Sequence, residues 1–101
     1  MAGEELTGVP AWQTREVDVT AQNQFCDPIN IRGTGVATVT SAGAGTTLSL
    51  QIEASSGVWS TLQEFSGAAV DQWTFEVFGN VRIGCETGNF GAACSVRLER
   101  D

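Results

Sequence analysis

Apolar and polar residues alternate along much of this chain, which predicts β-strands. In residues 46–65, TTLSLQIEASSGVWSTLQEF, Leu48, Leu50 and Ile52 alternate with polar residues. This is the two-residue period of a strand that buries one face. A short Ser-Ser-Gly segment follows, in which Gly57 can adopt positive φ, and a second apolar-bearing stretch comes after it. The segment therefore predicts a β-hairpin with one apolar side that other strands must cover.

The same alternation recurs in further segments. Gly33 and Gly35 interrupt one of them, where they predict a bulge or a close backbone approach. Gly79 and Asn80 predict a turn between two others. Besides the central hairpin, the predicted strands are residues 15–20, 31–40, 72–78, 81–86 and 93–100. No segment shows a helical period over a useful length, so the chain is predicted to be all-β.

The last two predicted strands are expected to pair as a hairpin, with a loop that carries Phe90 between them. In the register that sets Ile83 opposite Val96, Cys85 lies directly across from Cys94. Such a pair can form a cross-strand disulfide if the ladder site suits it. Otherwise the two thiols are small buried core groups. Three cysteines cannot all pair within one chain, which favours reduced thiols.

These strands predict a compact β-sandwich or jelly-roll-like domain of seven to eight antiparallel strands over residues 15–101. Residues 1–14 lack periodicity and are interpreted as an extended N-terminal arm. The arm is either a frayed terminus or a segment that lies over a neighbouring subunit. In the second case Trp12 needs a pocket, because it has a large area to bury. The anchors of the arm would be Leu6, Val9, Pro10 and Trp12.

The charge balance restricts the kinds of partner. The chain has 12 acidic residues against 5 basic ones, all arginine, no histidine or tyrosine, and a net charge of −7. Nucleic acid and anionic membranes both bind surfaces on which positive charges cluster, so we expect neither as a partner of this acidic chain. No apolar run of about 18 residues is present to span a bilayer. The start, MAGEELTGVP, has acids where a secretion signal has basic residues, so we expect assembly in a cytosol.

The candidate chemistry of the chain is sparse. Without histidine or lysine, no serine or threonine has an ordinary base to activate it as a nucleophile. Glu16 and Asp18 share a strand face and could serve a glycosidase or bind calcium, although exposed carboxylates of this kind are usually just solvated. The glycine pairs match neither a P-loop nor a dinucleotide motif, and cysteines without a CxxC spacing make a poor zinc site. We expect no catalytic site, no metal and no cofactor.

Several large side chains are predicted on the outside. Trp59, Phe78 and Phe90 fall on the polar side of their strands or in loops, where several rings together mark a contact patch. Arg82 and Arg97 would oppose each other on the outward face. This like-charge pair is unfavourable unless acidic residues of the chain or of a partner relieve it. The rings either stack on sugars or anchor into neighbouring subunits, and the absence of tyrosine favours assembly.

The runs TLSLQIEASSGVWSTLQEF, FEVFGNVRIGCETG and CSVRLERD together resemble small virion proteins of tailed phages. In that group a strand leads through a short turn to a tryptophan-bearing strand. A later strand, a glycine-rich turn and a closing strand complete the sheet. The resemblance covers about residues 34–100 and is one of hairpin pattern, without a chemical motif. It leaves out the N-terminal arm and the three cysteines.

The resemblance implies a capsid decoration, or cement, protein on the exterior of the virion, assembled in the host cytoplasm. Its partners would be the major capsid protein and copies of itself, as a dimer or trimer on the shell. A tail or head–tail connector component is the alternative in the same setting. A carbohydrate-binding β-sandwich, with sugars on the outer rings and calcium at Glu16 and Asp18, is the alternative from another class. The predicted contact residues are Leu6, Val9, Pro10, Trp12, Trp59, Phe78, Arg82, Phe90 and Arg97.

Overall fold

The computed structural model describes residues 13–100, which form seven β-strands. They are β1 (Gln13–Val19), β2 (Gln24–Phe25), β3 (Ile29–Ser41), β4 (Thr47–Ser55), β5 (Val58–Ser66), β6 (Asp71–Cys85) and β7 (Cys94–Arg100). This part of the chain has no helix, and therefore none that could cross a membrane. The all-β prediction is confirmed. The four predicted anchors of the arm lie outside the described residues, whereas residues 13 and 14 belong to β1.

All seven strands pair antiparallel within one sheet, in the order β1-β7-β3-β6-β4-β5, with β2 on β6. β2 continues the line of β3 along the same side of β6, because Phe25 pairs with Gly84 and Ile29 pairs with Val81. The sheet curls, since β1 contacts β6 although β7 and β3 lie between them in the strand order.

The inner face of the curled sheet holds the core. Val19 of β1 and Leu48 of β4 belong to strands far apart in the sheet order, yet both are fully buried in the same cluster. Full burial of one such aliphatic side chain stabilises the fold by roughly 1.5–3 kcal/mol. The buried cluster comprises Val19, Cys26, Ile29, Ile31, Ala37, Val39, Leu48, Leu50, Phe65, Val77, Val81, Ile83, Cys85, Cys94, Val96 and Leu98.

β4 and β5 form the predicted hairpin, with Gly57 at φ +75° in the turn. Glycine suits this conformation because it has no Cβ to clash with the backbone. One expectation about the hairpin is wrong, since Ser49 and Gln51 on the polar side of β4 are also buried. β4 is an inner strand, and side chains from β5 and β6 bond to Gln51 and cover it.

The predicted turn at Gly79-Asn80 is wrong, because β6 runs without interruption through both residues. Gly79 pairs with Ile31 of β3, and Asn80 pairs with Asn30. Gly79 has φ +152°, a value that favours glycine but leaves the strand extended. The odd-numbered residues of β6 keep facing the core on both sides of this position, with Val77 and Val81 both buried.

The predicted hairpin between the last two strands is also wrong. β7 pairs with β1 on one side and with β3 on the other, so Cys85 faces Gln24 and Cys94 faces Val19. The connection between β6 and β7 crosses over to the start of β4. There the Thr46 hydroxyl accepts hydrogen bonds from the Gly91 and Ala92 amides, each 3.0 Å long, and donates to the Ala92 carbonyl.

All three thiols are free and buried, as expected for core groups. Burial raises the pKa of Cys26, Cys85 and Cys94 because it disfavours the thiolate. A protonated thiol reacts slowly with oxidants and alkylating reagents. The cysteines therefore act as packing residues in this fold.

At Gly35 both interpretations of the β3 glycines, a bulge and a close backbone approach, are wrong, because the neighbour of this glycine is the side-chain ring of Phe75. The register of β3 against β6 continues without a bulge through Gly33 and Gly35, and the irregularity lies later, between Val39 and Ser41 against β7. A Cβ at Gly35 would lie 2.5 Å from Cζ of Phe75. The strand can thus carry no side chain at this position while the ring stays where it is.

We predict that Gly35→Ala lowers the free energy of unfolding by about 1–3 kcal/mol, the usual penalty of overpacking. The backbone of β3 is paired on both sides and cannot easily move away. Urea unfolding followed by circular dichroism measures the change. In the Gly35→Ala/Phe75→Leu double variant, the combined loss should be smaller than the sum of the single losses. Strict additivity would contradict the proposed clash.

Candidate functional site

The most organised group of side chains outside the core surrounds Arg82 on the outer face of the sheet. The guanidinium carbon of Arg82 lies 4.0 Å from the ring centroid of Phe25 and 4.3 Å from that of Trp59. Both distances are within the range of cation–π attraction. The arginine of β6 is therefore held between an aromatic ring from β2 and one from β5.

Strand register explains how these three residues meet. Trp59 pairs with Glu53 across the hairpin, and Arg82 pairs with Gln51, two residues earlier on β4. Residues two apart on a strand point to the same face, so Trp59 and Arg82 are diagonal neighbours on one surface. Gly84 completes the arrangement, because any Cβ there would overlap the backbone of β2 at Phe25.

The side chain of Gln51 orients Arg82 through a hydrogen bond. Its side-chain oxygen accepts a 2.9 Å hydrogen bond from Nε of Arg82. Its amide nitrogen donates to the Thr61 hydroxyl at 3.2 Å and to the carboxylate of Glu86. The Thr61 hydroxyl donates to the same carboxylate at 2.8 Å. Gln51 is only 5% exposed, so the bonds that it makes satisfy amide groups that water cannot easily reach.

The guanidinium of Arg82 is positively charged at neutral pH. Partial burial lowers the pKa of Arg82, and the nearby Cys26 and Glu86 oppose that shift. Arginine stays protonated at neutral pH even so, because its ordinary pKa is far above 7. A cavity of about 390 Å³ lies beside the guanidinium, lined by Asn23, Phe25, Gln51, Arg82, Glu86 and Thr87. The site presents a fixed cation, two rings and amide groups, which suits recognition of another surface.

A second polar row adjoins this cluster. Asn30 donates from Nδ2 to Oδ1 of Asn80 at 2.9 Å, and Asn80 donates to the Glu53 carboxylate at 3.1 Å. The same carboxylate accepts a 2.9 Å bond from the Gly57 amide in the hairpin turn. The Gly57 amide, followed by Asn80, holds the pKa of Glu53 below its usual range. The row links β3, β6, β4 and the hairpin turn across the outer face.

The structure brings together two of the predicted contact residues, Trp59 and Arg82. Phe78 lies on the same face of β6 as Arg82, roughly 13 Å along the strand at about 3.3 Å per residue, and is 67% exposed. Phe90 does not stand outside, because it is partly buried against the core. The residues of the arm lie outside the part of the chain that the structure describes.

The predicted opposition of Arg82 and Arg97 is wrong, since Arg97 pairs with Glu16 of β1 and Thr38 of β3. Arg97 forms an ion pair with Glu99, with Nε and Oε1 3.2 Å apart. The charge of this arginine is therefore balanced within the chain, one of the two alternatives considered for it.

The sequence analysis did not identify the polar residues that form the hydrogen-bond network around Arg82. Gln51, Thr61 and Glu86 come from three separate segments, and no motif connects them. Phe25 belongs to a two-residue strand that was not among the predicted ones, and it is half-buried against Arg82. Among the neighbours of Arg82, only Trp59 could be identified from the sequence, because a large ring on the polar side of a strand needs a partner.

The paired carboxylates of β1 are part of the outer face. Asp18 accepts a 2.7 Å hydrogen bond from the Ser95 hydroxyl, and Glu16 pairs in register with Arg97. Within residues 13–100, no group of three or more histidine, cysteine or acidic side chains is arranged to hold a metal ion.

No family model matches the chain, and no curated protein or solved structure matches it either.

We predict that Arg82→Met lowers the free energy of unfolding by about 2 kcal/mol. It removes two cation–π contacts and leaves the carbonyl of a buried glutamine unpaired. The matched variant Arg97→Met removes an arginine from a partly exposed ion pair and should cost below about 1 kcal/mol. Urea titrations of both variants test this. Equal losses would show that the aromatic stack adds no stability.

We predict that Glu53 titrates below the usual glutamate range. The Glu53 carboxyl therefore loses its proton more readily in the folded state than in the unfolded state. The stability that the ionised carboxylate contributes to the fold is complete above the unfolded pKa, and it disappears as the pH falls through the folded pKa. Carboxyl NMR titration measures the midpoint. Asn80→Ala should raise it only in part, because the Gly57 amide is the larger cause. A midpoint at or above the ordinary value would contradict the two hydrogen bonds.

Proposed function

We propose that this chain is a non-enzymatic structural protein of a phage virion, a capsid decoration protein that bridges major capsid protein subunits. It acts on the exterior of the capsid, as an oligomer, after assembly in the host cytoplasm. The observation that carries the proposal is the Phe25–Arg82–Trp59 stack on the outer face of the sheet. The phage setting itself comes from the hairpin resemblance in residues 34–100.

The stack has the composition of a protein-binding hot spot. Tryptophan and arginine dominate the few residues that supply most of the binding energy in protein interfaces. The guanidinium of Arg82 is already oriented by Gln51 and by two rings. A partner that docks on it therefore orders few additional rotamers, which lowers the entropic cost of binding.

Exposed apolar side chains near the stack support the same proposal. Val58 is 55% exposed and Leu62 is 49% exposed, both on β5. Among the described residues, β5 has a hydrogen-bonded neighbour on one side only, which is β4. An open strand edge with apolar side chains invites pairing with another chain. Together with Phe78, these residues extend the docking surface beyond Arg82.

The architecture proposed for this role is a two-layer sandwich of the jelly-roll type. Its support is the contact between β1 and β6 and the single buried cluster that both ends of the sheet share. Such a domain is rigid. A rigid domain bound between capsid subunits can stabilise the shell, because it buries surface that is formed only in the assembled particle. The arm would add a second contact to a neighbouring subunit.

The carbohydrate-binding alternative has weaker support. Trp59 has Arg82 stacked on its ring, and Phe90 packs against the core. Phe78 is the one of the three predicted sugar-stacking rings that is exposed. A tail or connector component would use the same docking surface as a decoration protein. These two roles are therefore distinguished by where on the phage particle the protein binds.

Rebinding to phage shells assembled without the protein tests the proposal. We expect saturable binding and a higher shell melting temperature, because ligands that bind the native shell stabilise it by mass action. Arg82→Met and Trp59→Ala should each weaken binding by tenfold or more, as hot-spot residues do. Thr74→Ala, on the same face of β6 but away from the stack, should leave binding unchanged.

Absence of rebinding together with signals on a glycan array would overturn the decoration role in favour of sugar binding. Binding to tails and not to shells would favour the connector alternative. Binding that Arg82→Met leaves intact would place the docking surface elsewhere on the chain.

A further inference from the structure

Two side chains of opposite charge on the outer face are joined by the carboxamide of Gln51. The Gln51 oxygen accepts a 2.9 Å hydrogen bond from Nε of Arg82, and its nitrogen donates to Oε2 of Glu86. Within residues 13–100, no ion pair connects Arg82 directly to Glu86. The guanidinium and the carboxylate are therefore separated by a distance that one carboxamide spans.

Both charged groups keep unused hydrogen-bonding capacity. Nε is the only side-chain atom of Arg82 that is hydrogen-bonded to a described residue, so the two terminal nitrogens donate to none of them. Oε2 of Glu86 accepts from Gln51 and Thr61, whereas no described donor reaches Oε1. Arg82 and Glu86 are half-buried and line the same cavity of about 390 Å³. This cavity is thus lined by donors of a cation and by an acceptor of an anion.

The rings beside Arg82 restrict how a ligand reaches the guanidinium. Its central carbon lies 4.0 Å from the ring centroid of Phe25 and 4.3 Å from that of Trp59, so the rings occupy its faces. The N–H donors of a guanidinium lie in its plane. A group that binds Arg82 must therefore approach the edge that carries the terminal nitrogens.

Charge and geometry distinguish the groups that fit this cavity. A carboxylate would pair with Arg82 but would be repelled by Glu86, and a cation would be repelled by Arg82. A side-chain carboxamide is neutral and has one acceptor oxygen and an N–H donor next to it. A main-chain peptide group fits less well, because its C=O and N–H point in opposite directions in the trans form.

We propose that this cavity binds the side-chain carboxamide of an asparagine or glutamine of a partner protein. The carboxamide oxygen accepts from the terminal nitrogens of Arg82, and its nitrogen donates to Oε1 of Glu86. This repeats the bridge that Gln51 already makes between the same two residues. Both new hydrogen bonds involve a charged group, which makes them stronger than neutral ones. The inference deepens the proposed decoration role and rests on it for the identity of the partner.

The site lies far from both ends of the described chain. Gln13 pairs with Arg100, Arg100 lies opposite Gly35, and Gly35 pairs with Phe75 of β6. Phe75 is seven residues before Arg82, roughly 23 Å along the strand at about 3.3 Å per residue. The contacts that form the site are therefore made at the opposite end of β6.

NMR titration of the purified full chain with three blocked amino acids tests the proposal. The probes are the N-acetyl methylamides of glutamine, glutamate and methionine, which share one backbone and differ in the side chain. We expect the glutamine probe to shift the Nε–H signal of Arg82 and the indole N–H signal of Trp59. Its affinity should exceed that of either other probe by about fivefold or more, because only the carboxamide satisfies both charged groups.

A charge-neutralising variant distinguishes carboxamide from carboxylate recognition. Glu86→Gln keeps the shape of the side chain but removes its negative charge. It should weaken binding of the glutamine probe by about fivefold or more and strengthen binding of the glutamate probe. Glu76→Gln makes the same change in net charge on the same face of β6 and should leave both affinities unchanged. The ranking of the three probes on the unaltered chain needs no variant, so it decides the question even if Glu86→Gln does not fold.

Three results would each overturn the proposal. They are a glutamate probe that binds at least as tightly as the glutamine probe, equal shifts with all three probes, and a lack of shifts at Arg82 and Trp59. These measurements use no shells, so their failure leaves shell rebinding as a separate test of the decoration role. Binding of the glutamine probe by a chain that does not rebind shells would support the carboxamide site and remove the decoration role.

Discussion

The pairing of β3 with β6 is the interaction on which the rest of this structure depends. The two strands stay in register from Ile29 opposite Val81 to Val39 opposite Asp71. Every other strand of the sheet is attached to one of these two, directly or through one further strand. Because both strands are long and the sheet curls around them, one inner face can collect apolar side chains from all sides of the sheet. Isolated short hairpins would have only marginal stability.

The same pairing determines what the outer face can present. β6 is long enough to contact β3 and β2 on one side and β4 on the other. This brings Phe25, which is distant in the chain, over Arg82, while the hairpin brings Trp59 from the opposite direction. The buried amide of Gln51 then orients the guanidinium. A surface group becomes rigid in this way because buried hydrogen bonds and ring contacts restrict it from several strands at once.

The arginines of the described residues differ in how their charge is accommodated. The chain is strongly acidic, with a net charge of −7, and only five residues carry a positive side chain. Arg97 is balanced by Glu99 within β7. Arg82, by contrast, lies between the rings of Phe25 and Trp59.

Sequence alone determined the all-β class, the β4–β5 hairpin and most of the core positions, because alternation of two residues and a turn glycine are local properties. Pairing between distant segments was decided only by the tertiary structure. The sequence pattern of residues 81–100 fits a hairpin, yet β7 pairs with β1 and β3, and the connection that leads to it is bonded to Thr46 at the start of β4. Likewise, Gly79 fits a turn in isolation and lies within a strand here because Ile31 pairs with it. The Arg82 site depends on such long-range pairings, and local periodicity contains no information about which strands become neighbours.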